Sequence, residues 1–201
     1  HVERLAKQGL VGLGFTNAPA SIAPVGGVTP MVGTNPFAPG VPDGENGSAF
    51  VIDQSASVIA KSEIMMHARA GNPIPEGWAL DADGNPTTDP EVALKGSMAP
   101  SGGYKGFSVG LMVETFAAAL AGATLGKDAS PFAGTIGGPP KTGQFFIAIS
   151  TECFSGGEFI SRIQDLTKAI SSQPNARLPG SRRQAQRSTH HSDGIDVDEE
   201  L

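Results

Sequence analysis

The residues best placed by type and spacing to do chemistry are a lysine behind two glycines and an aspartate that closes an apolar run. Gly102-Gly103-Tyr104-Lys105-Gly106 leads straight into the longest apolar stretch of the chain. A helix starting there offers free amide groups and the positive end of its dipole, both suited to an anion. A cation such as Lys105 is unfavourable in a first turn, and an external anion would account for it. A solvated lysine beside a flexible turn accounts for it equally well. Asp53-Gln54-Ser55-Ala56-Ser57 follows one apolar run and precedes a helical one. Asp53 or Ser55 there reads as a helix cap. The functional reading has the carboxylate accepting from sugar hydroxyls, with Ser55 and Ser57 near a phosphate. Gly33-Thr34-Asn35-Pro36 is a tight turn whose side chains either face a ligand or serve the turn alone. Pro179-Gly180-Ser181-Arg182-Arg183 sets two guanidinium groups behind a turn. These either grip phosphate bidentately or form a solvated basic turn that opens a helix.

Other chemistries find little support. No G-x-G-x-x-G lies between a strand and a helix, and no G-x-x-x-x-G-K-[ST] is present. Gly137-Gly138-Pro139-Pro140-Lys141-Thr142-Gly143 resembles a phosphate loop only superficially, because its prolines remove amide donors and a strand follows it. Of the 4 histidines, His1 is terminal, His67 lies in a helical stretch, and His190 and His191 are adjacent with no third ligand near them. No metal site is expected from that set. Cys153 is the 1 cysteine, which excludes an internal disulfide and fits a reducing cytoplasm. No Gly-x-Ser-x-Gly elbow is present.

Composition narrows the class. Gly 27 and Pro 16 make up about a fifth of the 201 residues, far above the usual share of about 12%. Glycine has no three-residue period, so collagen is excluded, and apolar residues gathered into runs argue against global disorder. A net charge of -6 argues against nucleic acid as a partner. The apolar run Phe107 to Leu120 carries Ser108 and Glu114, which makes it a poor membrane span, and no signal peptide is visible.

The elements that must position these residues are read from periodicity. His1 to Gln8 has helical spacing and already reads as mid-helix, so the chain is expected to be a fragment of a longer protein. Leu10 to Thr16 reads as a buried strand, Asn17 to Val41 as an ordered loop, and Ser48 to Asp53 as a second strand. Val58 to Ala70 reads as a helix and Asn72 to Pro100 as a polar connection with a turn at Asp81 to Pro86. Tyr104 to Gly122 is the most apolar helix, Gln144 to Ile149 a third strand, and Glu158 to Ile170 an amphipathic helix. From Pro174 the chain is polar, basic first and then acidic. Strands and helices interleave, which favours a mixed α/β or α+β domain.

In order along the chain, Thr16-Asn17, Ala23-Pro24-Val25-Gly26-Gly27, Gly33-Thr34-Asn35-Pro36, Asp53 to Ser57, Gly103-Tyr104-Lys105-Gly106 and Leu178-Pro179-Gly180-Ser181-Arg182-Arg183 resemble one family. It is the malate/L-lactate dehydrogenase family that lacks a Rossmann fold, with sulfolactate and ureidoglycolate dehydrogenases and piperideine-2-carboxylate reductases among its relatives. The resemblance implies an α+β fold, a largely antiparallel mixed sheet packed with helices that forms a non-Rossmann NAD(P)-binding domain. It implies residues 1–155 as that cofactor-binding domain, and 156–201 as a C-terminal helical segment returning to an N-terminal domain absent from this chain. Residue by residue, Asp53, Gln54 and Ser55 match the family's Asp-Met-Ala cofactor contact, and Lys105 and Gly106 its Lys-Gly contact. Gly180, Ser181 and Arg182 match its Pro-Gly-Glu-Arg contact, and Thr34 a residue near nicotinamide and substrate. Gln54 and Ser181 depart from the family's Met and Glu, and Ala18 from a polar residue after Thr-Asn.

The family's Ser-His-Gly and His-Phe-Gly motifs are absent, so no catalytic residue is assigned and the proton donor is expected upstream of His1. Hydride transfer needs that donor, a grip on the substrate carboxylate and a nicotinamide at near-attack distance. The implied activity is NAD(P)-dependent hydride transfer on a small 2-hydroxy or 2-oxo acid or a cyclic imino acid, with NAD or NADP as cofactor. A small carboxylate substrate, a homodimer, a cytoplasmic location and no activity of this chain alone are also expected. A non-catalytic nucleotide-binding or oligomerisation module is the rival from another class, and a purely structural domain a third.

Overall fold

The computed structural model describes residues 1–135, 137–195 and 197. The chain divides into two compact units. The first comprises His1–Leu13, Ala38–Asp53 and Ile147–Leu201, and the second Gly14–Phe37 and Gln54–Phe146. A four-stranded sheet has the order β3-β2-β1-β7, formed by β1 (Leu10–Thr16), β2 (Phe37–Pro42), β3 (Ser48–Val51) and β7 (Gln144–Ser150). The pairing of β2 with β3 is antiparallel, with Gly40 opposite Val51 and Val41 opposite Phe50. The acidic end of the chain, at Asp196 and Asp198 to Glu200, lies outside the described residues. Among the described residues no helix is long and apolar enough to cross a membrane.

In the first unit, α1 (Val2–Ala6) buries Val2 and Ala6 and lies close on the strands through glycines. A Cβ on Gly40 would meet the Val2 carbonyl at 2.7 Å, and one on Gly12 would meet Leu5 at 2.9 Å. Two helices close the chain, α5 (Phe159–Ser171) and α6 (Ser181–Asp193). Helix α6 is held by polar side chains, because its sequence carries no large apolar residue. Arg187 Nη1 donates to both Glu3 oxygens at 2.9 Å, Gln184 Nε2 to Ser48 Oγ at 3.0 Å, and Arg183 Nη2 to Asp53 Oδ2 at 2.8 Å. The Arg187 hydrogen bond holds the Glu3 carboxyl below its ordinary pKa, against the opposing pull of burial.

The second unit has the larger apolar core. Ile22, Val32, Ala56, Ile64, Ile74, Ala79, Ala93 and Met98 form it, with Trp78 and Phe107 packed alongside. Helix α2 (Lys61–Ala70) contributes Ile64, and a three-stranded sheet of order β5-β4-β6 contributes Ala79 and Met98. The short strands are β4 (Ala79–Leu80), β5 (Pro86–Thr87) and β6 (Ser97–Met98). Helix α3 (Pro90–Lys95) starts with Asp89 accepting from the Glu91 and Val92 amides and with proline in its first turn. Helix α4 (Tyr104–Glu114) passes into a wider π-helical stretch, Thr115–Leu120. That stretch sets the Phe116 ring between Phe15 at 4.9 Å and Phe145 at 5.7 Å.

Three sequence expectations need correction. The segment read as a loop to Val41 holds β2, a strand hidden by its prolines. Pro39 uses only its carbonyl, which accepts from Ile52, and the register shifts at Val41/Pro42, where proline has no amide to give. Val58 to Ala60 is not helical, because the Val58 amide bonds Ala99 O at 3.0 Å and Ser57 bridges Pro100. The polar connection Asn72 to Pro100 contains three strands and a helix. The basic run past Pro174 forms α6, in keeping with a turn at Pro179-Gly180 that opens a helix.

One buried polar network ties the Gly33–Pro36 turn to α4. Asn35 is fully buried at a positive φ of 43°, a conformation asparagine tolerates better than most residues. Its Nδ2 donates to Gly110 O and Glu114 Oε2, both at 2.8 Å, and its Oδ1 accepts from Ala18 N at 3.0 Å. The other Glu114 oxygen accepts from the Gly126 amide at 2.6 Å. Asn17 in turn links Thr124 O and the Gly143 amide. Replacing Asn35 by alanine strands a buried carboxylate oxygen, an amide and a carbonyl at once. Asn35→Ala is expected to cost about 2–4 kcal/mol in urea unfolding, while an exposed change such as Lys141→Ala costs under about 0.5 kcal/mol.

Candidate functional site

The extended segment Gln54 to Ala60 is fixed by its backbone. Gln54 exchanges two hydrogen bonds with Phe37, and the Ala56 amide donates to Thr34 O at 2.7 Å. Ala56 O accepts from the Ser101 amide at 2.8 Å. The start of α4 is thereby brought alongside. Gly106 makes this approach possible: a Cβ there would lie 2.5 Å from both Ser101 N and Ser101 O and 2.6 Å from Ala56 O. Gly102 and Gly103 turn the chain at positive φ, 65° in each case.

Between this segment and the helix start lies a cleft of about 510 Å³ within the second unit. Gln54, Ser55, Ser57, Ser101, Lys105 and Gly106 line it, together with the apolar side chains of Val58, Ile59 and Val109. Lys105 is exposed and makes no ion pair among the described residues. Helix α4 has Gly103 at its cap position and no side chain satisfying its first amides. The wall thus combines a free ammonium, first-turn amide donors and serine hydroxyls. That set suits a phosphate joined to a group that forms neutral hydrogen bonds.

Of the residues read from sequence, the structure brings Gln54, Ser55, Lys105 and Gly106 into this one cleft. Thr34 does not line it. Its carbonyl fixes Ala56 instead, so its link to the cleft runs through the backbone. Asp53, Gly180, Ser181 and Arg182 belong to the first unit. There the Asp53 carboxylate is paired with Arg183, and Gly180 at φ 84° lies against the Val51 carbonyl, 2.9 Å from where a Cβ would stand. The Pro179 carbonyl accepts from the Val51 amide, which pins the turn to β3. Arg182 is exposed and makes no ion pair among the described residues. Ser101 and Val109 were not foreseen. Ser101 immediately precedes the glycine pair, and Val109 lies one turn past Lys105 on the same helix.

Histidines contribute nothing to the cleft. His67 Nδ1 donates to Pro73 O at 2.7 Å and its ring stands edge-on to Trp78, which ties the end of α2 to the following loop. Among the described residues no three His, Cys, Asp or Glu side chains gather to hold a metal.

The malate/L-lactate dehydrogenase family profile matches residues 1–201. The chain belongs to that family. It is 46% identical over 186 residues to a (2R)-3-sulfolactate dehydrogenase (NADP(+)) of Chromohalobacter salexigens, covering 92% of this chain and 55% of the relative. It is 44% identical over 197 residues to a Δ1-pyrroline-2-carboxylate reductase of Agrobacterium fabrum, covering 96% and 56%. Among solved structures it resembles the Δ1-piperideine-2-carboxylate reductase of Pseudomonas syringae at 35% identity and a TM-score of 0.87, over 98% of this chain and 59% of that one. The chain therefore spans little more than half the length of these relatives. The fold is the mixed α/β, non-Rossmann arrangement that this family shares.

Because Gly106 has no room for a side chain, Gly106→Ala must push α4 away from Ala56 and Ser101. The expected outcome is a lower melting temperature and a widened cleft, seen as faster amide exchange at Lys105 to Val109, with α5 and α6 unchanged.

Proposed function

We propose that this chain is the cofactor-binding portion of an NAD(P)-dependent oxidoreductase. The reaction is hydride transfer between nicotinamide and a small 2-hydroxy or 2-oxo acid or a cyclic imino acid. The observation that carries this reading is the free Lys105 ammonium at the uncapped start of α4, over a cleft that also holds Gln54, Ser55 and Gly106. Lys105 and the first-turn amides would hold cofactor phosphate, and Gly106 lets the helix stand close enough for them to do so. The remaining family positions, Thr34, Asp53, Gly180, Ser181 and Arg182, are proposed as further cofactor-binding residues. The names of the sulfolactate and pyrroline-2-carboxylate relatives support the substrate class.

The nicotinamide supplies the hydride; the proton must come from a side chain. His67 is committed to Pro73, so the donor is proposed to lie outside the described residues. Leu111, Met112 and Leu120, exposed on α4 and its π-helical continuation, support a homodimer. The free Cys153 suits the cytoplasm.

NADP is the cofactor this chain favours. A strand-end carboxylate selects NAD by accepting from a free ribose 2′-hydroxyl in other folds. Here Arg183 takes up the Asp53 carboxylate at 2.8 Å, Arg182 makes no ion pair among the described residues, and Ser181 replaces an acidic residue of the family motif. A 2′-phosphate meets net positive charge at such a position.

Two measurements follow. In fluorescence titrations of the purified chain with NADPH, Lys105→Ala is expected to raise Kd at least about tenfold and to flatten its salt dependence. An unchanged Kd rejects the reading. Arg183→Glu is expected to shift the NADPH-to-NADH preference toward NADH by about tenfold or more, through loss of NADPH binding.

A further inference from the structure

Proton counting in the cleft gives one of its serines a fixed hydrogen-bond role. Ser57 is 6% exposed, and its hydroxyl donates to Ile59 O at 2.8 Å. A carbonyl only accepts, so the single Ser57 proton is committed there. Ser55 Oγ lies 3.2 Å from Ser57 Oγ, and that bond must take its proton from Ser55. Both hydroxyl protons are then spent inside the protein. The Ser55 oxygen that lines the cleft has lone pairs alone to offer a ligand.

The geometry points to Ser55 as an acceptor-only anchor that takes a hydrogen-bond donor of the bound nucleotide and disfavours a phosphate oxygen. A sugar hydroxyl or a carboxamide N–H fits this demand, since each brings its own proton. A phosphate oxygen brings none and would face the Ser55 lone pairs. The two sides of the cleft therefore differ in kind. The start of α4, with Lys105, is a donor surface for phosphate, and the Ser55 side is an acceptor surface for a neutral donor. This sets which wall takes the phosphate and which takes the neutral group attached to it. It reverses the sequence-based placement of Ser55 and Ser57 beside a phosphate, and it rests on the nucleotide reading above.

The test is calorimetric titration of the purified chain with two probes, NADPH and inorganic pyrophosphate. Lys105→Ala should weaken both. Ser55→Ala should weaken NADPH about threefold to tenfold and leave pyrophosphate within about twofold, because one neutral hydrogen bond is lost from the NADPH complex alone. Ser55→Thr keeps the hydroxyl and should restore NADPH binding, which separates a lost bond from a disturbed fold. Ser57→Ala frees the Ser55 proton and should tighten pyrophosphate relative to NADPH. An equal loss of both probes in Ser55→Ala, or no loss of NADPH, overturns the assignment while leaving the nucleotide reading intact. A wild-type chain that binds neither probe overturns the nucleotide reading itself, and this inference with it.

Discussion

The structure around the cleft depends on a backbone contact that excludes any side chain. The first turn of α4 lies so close to Ala56 and Ser101 that a Cβ on Gly106 would stand 2.5–2.6 Å from three backbone atoms. Every useful feature of the cleft follows from that approach. It sets the first-turn amides beside the extended segment, it places Lys105 across from Ser55, and it leaves Gly103 at a positive φ, where it caps nothing. Gly110 extends the same close seam one turn on, where a Cβ would touch Val32 and Ala56 at 3.1–3.2 Å. A helix that must come this near another segment needs glycine at spacing four on that face, and α4 has it at 106 and 110.

Close approach alone would let the helix slide. The Asn35–Glu114 network prevents this by linking the far end of α4 to the turn before β2. Asn35 reaches both Gly110 and Glu114, so any shift of α4 along its axis breaks two bonds of a buried, charge-bearing group. The same turn presents the Thr34 carbonyl to Ala56. A single buried asparagine thus holds the helix and the segment opposite it in one frame. This explains why the Gly-Thr-Asn-Pro turn matters to the cleft although its side chains do not line it.

These contacts also mark how far the sequence could be read. Lys105, Gly106, Gln54 and Ser55 were legible because glycine, a cation and a strand end each carry a local signature, and their order along the chain matched a family. The short strands β4 to β6 were not, since two-residue strands have no period to detect. Strand β2 was masked by prolines whose missing amides fall at a bulge and at a carbonyl-only position. The bond from the Ala56 amide to the Thr34 carbonyl was not legible, because a main-chain bond leaves no trace in residue type. Helix α6 was legible in its opening turn, but its attachment was not. Its attachment through Arg183, Gln184 and Arg187 is polar, which leaves no apolar period to read.

The uncapped, lysine-bearing start of α4 sets local stability against binding. A cation in a first turn is unfavourable by about 0.3–1 kcal/mol, and amides without a cap lose roughly as much again. Asp89 caps α3 from extended backbone at φ -87°, whereas Gly103 sits at φ 65°, where an aspartate or serine would be strained and the usual side-chain cap is out of reach. The start of α3 shows the side-chain cap that α4 lacks. The contrast between the two helix starts supports the anion-holding role proposed for Lys105 and the first-turn amides, since a bound anion would offset both deficits.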